Sequence, residues 1–213
     1  MKNLKQVYKN CLDSAGQSFL QFPWHDKGCY SAWLAQTYFY AQATTRLLML
    51  AGAHIDREFE STHLRFIEHT KEERGHEKLL LMDLKDLNFQ LSDFSELAST
   101  SGLYQAQYFW IQHKHPLSFF GYILFLEGLG AIYGKQASDK AHAAHGARAS
   151  HFLRVHAEDD IEHIERAFAE TDKFSPHIQN LIAENLTLSA GFYELMLKES
   201  REVKLSGQLR KAA

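Results

Sequence analysis

Two eight-residue stretches, His69-Thr-Lys-Glu-Glu-Arg-Gly-His76 and His156-Ala-Glu-Asp-Asp-Ile-Glu-His163, share the pattern His-x2-acid-acid-x2-His. On an α-helix, at about 100° per residue, positions i, i+4 and i+7 fall within an arc of about 60°. His69, Glu73 and His76 would then share one helix face, and His156, Asp160 and His163 another. The neighbouring acids Glu72 and Asp159 lie about 60° to the other side. Glu73 and Asp160 are preferred because each stands three residues before the second histidine of its stretch. Imidazole and carboxylate converging from two helices can build a carboxylate-bridged di-iron or di-manganese site.

A third acid strengthens this reading. Glu127 lies in Phe119-Phe-Gly-Tyr-Ile-Leu-Phe-Leu-Glu-Gly-Leu129, an almost wholly apolar run. A buried carboxylate is costly unless it is paired, protonated or bound to metal. A structural pair with Arg46 or Arg148 would explain Glu127 alone, and a solvated helix face would explain either histidine stretch alone. Taken together they favour metal. His76, Glu127, His156, Asp160 and His163 are expected to converge on one interior cavity, with His69 and Glu73 at its edge.

These residues need long helices to carry them. The 213-residue chain is 45% hydrophobic, enough for one core, and is read as a single helical domain, 1–213. Helices are expected at about 3–20, 29–54, 57–88, 95–114, 117–142, 147–172 and 177–200. The only prolines, Pro23, Pro116 and Pro176, fall where helices begin or end. Residues 29–54 are apolar around most of the wheel, as in a central helix. Asn88 suits a left-handed cap. The tail from about 203 is polar and expected to fray. No alternating run suggests a strand, so the fold class is all-α.

The same numbers weigh against other roles. Net charge is −3, with no basic tract, which argues against nucleic acid. The start MKNLKQVYKNCLDS lacks an apolar leader core. The two cysteines, Cys11 and Cys29, offer neither a disulfide framework nor a CxxC site, and a cytoplasmic protein is expected. The longest apolar run, Pro116 to Gly134, contains Glu127 and fits a buried helix better than a membrane span. Gly128, Gly130 and Gly134 in that helix point either to close packing or to a kink. Tyr38, Tyr40, Tyr104, Tyr108, Phe109 and Trp110 read first as core. Gln42 and Arg46 need polar partners or orient a ligand. His113, His115, His142, His145 and His151 are read as surface residues.

Glu73-x2-His76 with Leu79-Leu80, Glu127 in its glycine-rich helix, and His156-x3-Asp160-x2-His163 together resemble the motifs of the heme-oxygenase-like diiron oxidases and oxygenases. The resemblance runs from about residue 29 to 170. It implies the seven-helix heme oxygenase-like (TenA-like) bundle and a homodimer. It also implies a site for two iron ions, or one, that activates dioxygen on a small organic substrate. Two departures stand out. Many members have glutamate where this chain has His69, and residues 29–54 contain no acid. Those missing acids also weaken a ferritin-like assignment.

Other classes on the same fold fit less well. Thiaminase-type hydrolysis needs a cysteine nucleophile, and neither cysteine lies near the histidine motifs. Heme binding would use Gly130-x3-Gly134, but residues 3–20 contain no histidine to serve as axial ligand. A non-enzymatic dimeric metal- or ligand-binding module is the alternative.

Overall fold

The structure, a computed structural model, describes residues 3–203, apart from the side chains of residues 158–162. The described residues form helices and no strands. The helices are α1 (Leu4–Leu20), α2 (Lys27–Ala41), α3 (Thr44–His54), α4 (Glu60–Glu72) and α5 (Glu77–Asp86). They continue with α6 (Ala98–His113), α7 (Phe120–Leu129), α8 (Lys135–His145), α9 (His151–Thr171) and α10 (Pro176–Ser200).

Local chemistry sets most of the boundaries. Asn3 and Asp26 accept backbone N–H groups at the starts of α1 and α2. Ser175 does the same before Pro176, which sits in the first turn of α10. Asn88, with φ 59°, follows α5 as the expected left-handed residue.

The seven expected helices are present, but three are divided. The stretch 29–54 bends between α2 and α3. The stretch 117–142 passes from α7 through a π-helical turn, Gly130–Gly134, into α8. The stretch 57–88 breaks after Glu72 and resumes at Glu77, because Gly75 takes a left-handed φ of 96°. Only glycine enters that region at little cost. One continuous helix therefore does not carry His69, Glu73 and His76.

α7 is the hub. Nearly all its side chains are buried, and it packs against α1, α9 and α10. It comes so close to α1 that a Cβ on Gly128 would stand 2.6 Å from the Tyr8 hydroxyl. Packing is thus the reason for that glycine, while the π turn a few residues on supplies the expected irregularity. The segment Pro116–His145 is long and apolar enough to cross a membrane, yet 72% of its most apolar window is buried inside the fold.

α9 is held to α5 from its first residue. Buried Asp83 accepts hydrogen bonds from the backbone N–H of His151 (3.1 Å) and of Phe152 (3.0 Å). A carboxylate on another helix thus caps the amide groups that Ser150 leaves unsatisfied.

Candidate metal centre

Four elements bring the side chains together: the end of α4, the break that follows it, α7 and α9. Two groups of potential ligands result. The inner group is His69, Glu73, Glu127 and His163; the outer group is Glu73, His76 and His156. Within each group the ligand atoms lie within 4.8 Å of one another. Glu73 belongs to both. Its Oε1 is 3.6 Å from His69 Nε2, and its Oε2 is 3.6 Å from His76 Nδ1.

The inner group is closely packed. His69 Nε2 lies 2.7 Å from Glu127 Oε1, though off the line of a hydrogen bond. His163 Nδ1 is 3.6 Å from the same oxygen. Among the described residues, Glu127 Oε2 is buried with no hydrogen-bond partner. An anion in an apolar helix with an unsatisfied oxygen is what a cation would relieve, so the donors present fit a metal ion.

The outer group opens further toward solvent. His76 is 22% exposed and its ring meets that of His156 at 5.0 Å. His156 Nδ1 is 3.1 Å from the Phe152 carbonyl oxygen. A carbonyl can only accept, so Nδ1 carries the proton and Nε2 is the nitrogen with the lone pair. The ring also stacks on Phe152 at 4.0 Å.

Electrostatics couples the groups. Burial pushes the His69 imidazole down, but the Glu127 and Glu73 carboxylates override it and raise it from 6.5 to about 10. Burial pushes the Glu73 carboxyl up, and its contacts with His69 and His76 outweigh this, holding it well below the usual carboxylate range. Burial and then the Glu127 charge raise the Tyr8 phenol to about 12. That hydroxyl remains a proton donor at neutral pH.

A cavity of about 100 Å³ adjoins the centre. His69, Glu73, His76, Glu127 and His156 line one side; Tyr40, Tyr122, Leu126, Phe152 and Tyr193 contribute to the rest. No lysine or arginine is among the described residues lining it. It is much smaller than the roughly 300–1,000 Å³ of pockets for drug-sized ligands, so its occupant is small.

The sequence expectations meet this geometry unevenly. His76, Glu127 and His156 line the cavity, and His163 joins Glu127 in the inner group. His69 and Glu73, expected at the edge, lie inside, with Glu73 shared between the two groups. The Asp160 side chain lies outside the described residues, as does that of Asp159. Neither Arg46 nor Arg148 pairs with Glu127: Arg148 binds Asp86 at 2.9 Å. Arg46 and Gln42 line a separate outer cleft of about 750 Å³.

Three histidines read as surface residues have structural partners, one of them His115, whose Nδ1 accepts the Leu117 backbone N–H at 3.1 Å. His151 binds Asp83, and His145 stacks on Tyr30 and contacts the Trp24 carbonyl oxygen. Cys11 and Cys29 are half-buried, and neither is among the residues lining the cavity. Burial raises the Cys29 thiol from 9.0 to about 11, with the Asp26 charge adding to the effect, which makes it a poor nucleophile.

Sequence reading missed Tyr8, Tyr122 and Asp83. Tyr8 and Tyr122 are ordinary core aromatics until the fold places them beside the acids. Asp83 showed a usable signal, an acid on the buried face of a helix. Gly75 did too, a glycine at a potential helix end.

The sequence pattern of the iron-containing redox enzyme family matches residues 31–202. No curated protein sequence matches the chain. Among solved structures, a domain of unknown function with a heme oxygenase-like fold from Shewanella denitrificans superposes with a TM-score of 0.81 at 16% identity, covering 95% of this chain and 93% of that one. A TenA homolog from Pseudomonas syringae pv. tomato gives 0.77 at 12% identity, covering 94% and 93%. A TenA homologue from P. horikoshii gives 0.74 at 12% identity, covering 93% and 98%. At such identities the superpositions show the fold alone, but the family match spans most of the sequence, and this chain, a heme oxygenase-like helical bundle, belongs to the iron-containing redox enzyme family.

Proposed function

We propose that the chain is an iron-dependent oxidase or oxygenase that holds two iron ions and acts with dioxygen on a small organic substrate. The observation that carries this reading is Glu73, whose two oxygens face separate histidine-containing groups at the wall of an apolar cavity. His69, Glu127 and His163 would hold one ion, His76 and His156 the other, and Glu73 would bridge them. Asp160 is a further ligand candidate by its place in the sequence. Iron bound there would supply the electrons for dioxygen reduction, which none of the surrounding side chains can donate readily.

The protein's own residues do the rest. The Phe152 carbonyl fixes the His156 tautomer, and the ring stack fixes its plane. Glu127, rigidly placed by α7, supplies negative charge that compensates a cation in a dry environment. Tyr40, Tyr122 and Phe152 shape a space for an apolar or aromatic group and keep bulk water from it. The absence of lysine and arginine among the described lining residues favours a group without a negative charge at that depth. Hydrolysis of the thiaminase type is disfavoured, because neither cysteine lines the cavity.

The test is anaerobic loading of the full chain with Fe(II), followed by measurement of bound iron and dioxygen uptake. The expected result is two ions per chain and dioxygen consumption that Glu127→Ala and His163→Ala each abolish. Failure of the parent to bind iron would remove the proposal. Variants that bind iron and consume dioxygen like the parent would remove the ligand assignment.

A further inference from the structure

Glu72 is adjacent in sequence to the shared carboxylate but has a different set of partners. Its Oε2 lies 2.9 Å from Arg65 Nη1, and its Oε1 lies 2.9 Å from Arg166 Nη1. The same Oε2 is 3.5 Å from His163 Nε2. Across the ring, His163 Nδ1 faces Glu127 Oε1 at 3.6 Å. One imidazole, 8% exposed at its side chain, is therefore set between an outer carboxylate on one nitrogen and the interior carboxylate on the other.

This arrangement bears on how His163 can ligate. A neutral imidazole has one nitrogen that can bind metal and one that carries a proton. A carboxylate beside the protonated nitrogen selects the tautomer, orients the ring and makes the other nitrogen a better donor. Glu72 suits that task better than direct ligation. Arg65 on α4 and Arg166 on α9 hold both its oxygens, so it is fixed from both helices that flank the centre. At 3.5 Å the contact with His163 is longer than a normal hydrogen bond; a movement of about half an ångström would close it.

Building on the metal-site reading above, we infer that Glu72 is a positioning residue. It holds the Nε2–H of His163 so that Nδ1 faces the inner ion. Its partners then have a role as well: Arg65 and Arg166 keep Glu72 in place, and the Arg166 contact ties α9 to α4 beside the site. The other tautomer, with the proton on Nδ1, would point a donor at Glu127 and leave that nitrogen unable to bind the metal.

Two measurements on the full chain test this. In protein labelled with ¹⁵N-histidine and loaded with Zn(II), the His163 ring is identified as the signal missing from His163→Gln. Its Nδ1 should be metal-bound and its Nε2 protonated; metal on Nε2 overturns the inference. Anaerobic Co(II) titration of Glu72→Ala should then show one binding step weakened about ten- to a hundredfold, with a shift in that ion's visible absorption. Glu72→Gln, which keeps an acceptor oxygen, should recover part of the loss.

Parental affinity and spectrum in Glu72→Ala overturn the role. So does an equal loss in both steps together with a lower melting temperature of the metal-free protein, which would make Glu72 structural. If Glu72→Ala does not fold, the zinc-loaded parent still decides between the two tautomers. A parent that binds neither metal overturns the site reading and this inference together. A parent that binds two ions, matched by Glu72→Ala, overturns the inference alone.

Discussion

The stretch 156–163 lies inside one unbroken helix, α9, whereas the stretch 69–76 crosses the end of α4 and a left-handed glycine and stops at His76, the residue before α5. In α9, seven residues of regular helix keep His156 and His163 on one face and set them about two turns apart, so they serve different groups. In the broken stretch, the chain reverses its twist at Gly75, and Glu73 sits at the helix end with its carboxylate between His69 and His76. Similar residue spacing thus yields two kinds of ligand source. A rigid helix spaces its histidines, whereas a helix end keeps Glu73 one turn from His69 and re-aims the histidine that follows the break. The break also leaves the outer group nearer solvent, with His76 at 22% exposure against 5% for His69.

The sharpest test of this contrast is Glu73→Ala. If the carboxylate bridges both groups, its loss should reduce bound iron from two ions to none at iron concentrations that saturate the parent, read by metal analysis after anaerobic desalting. Retention of one tightly held ion would show that Glu73 serves a single group.

Next in size is a pair of variants that separates the groups. Glu127→Ala should abolish binding at the inner group and dioxygen uptake with it. His76→Ala should lose the outer ion and leave the inner one, giving about one iron per chain at a site built from α4, α7 and α9. Equal losses in the two variants would mean that the ions bind only as a pair.

The metal-free protein should report the inner group through pH. His69 is raised from 6.5 to about 10 in the folded chain. The sign follows from linkage: a raised histidine contributes stability that is fully present below about 6.5 and disappears as pH rises through about 10. Chemical denaturation of metal-free protein between pH 6 and 10 should show a decline that His69→Gln removes. A parent curve identical to that of His69→Gln would mean that the His69–Glu127 contact is not an ion pair.

Two backbone effects are smaller. Asp83→Ala leaves the amide groups of His151 and Phe152 without their cap and should cost about 2 kcal/mol, measured by urea unfolding. Gly75→Ala forces a Cβ into the left-handed region and should cost about 1–2 kcal/mol, with no neighbour to clash. On a chain of this size that lowers the melting temperature by about 2–4 °C per kcal/mol. An unchanged melting temperature would mean that the break survives without glycine.

How much of this was legible depended on the physics involved. The helices could be read because burial repeats every 3.6 residues and because capping residues, prolines and Asn88 act within a few positions of themselves. Glu127 could be singled out because a charge in an apolar run needs compensation wherever the run is packed. The break at Gly75 was read through because helical periodicity on both sides outweighed one glycine. That single φ comes after Glu73, which keeps the helical hydrogen bond to His69, and it redirects the segment that carries His76 and α5. The choice between Glu72 and Glu73 was a matter of about 60° on a helical wheel. It took the arginines, 2.9 Å away on two helices, to show how Glu72 is engaged.

By itself, the sequence determined an all-helical chain, the long apolar helix carrying Glu127, and the pairing of acids with histidines in two stretches. These are local or compositional properties, set by side-chain periodicity and by the cost of burying charge. The tertiary structure alone decided that Glu73 lies between the groups, that Glu72 faces His163, that Asp83 caps α9 and that Tyr8 lies over Gly128. The last three are contacts between segments far apart in sequence, and Glu73 meets His69 and His76 locally but joins Glu127, His163 and His156 only when whole helices pack.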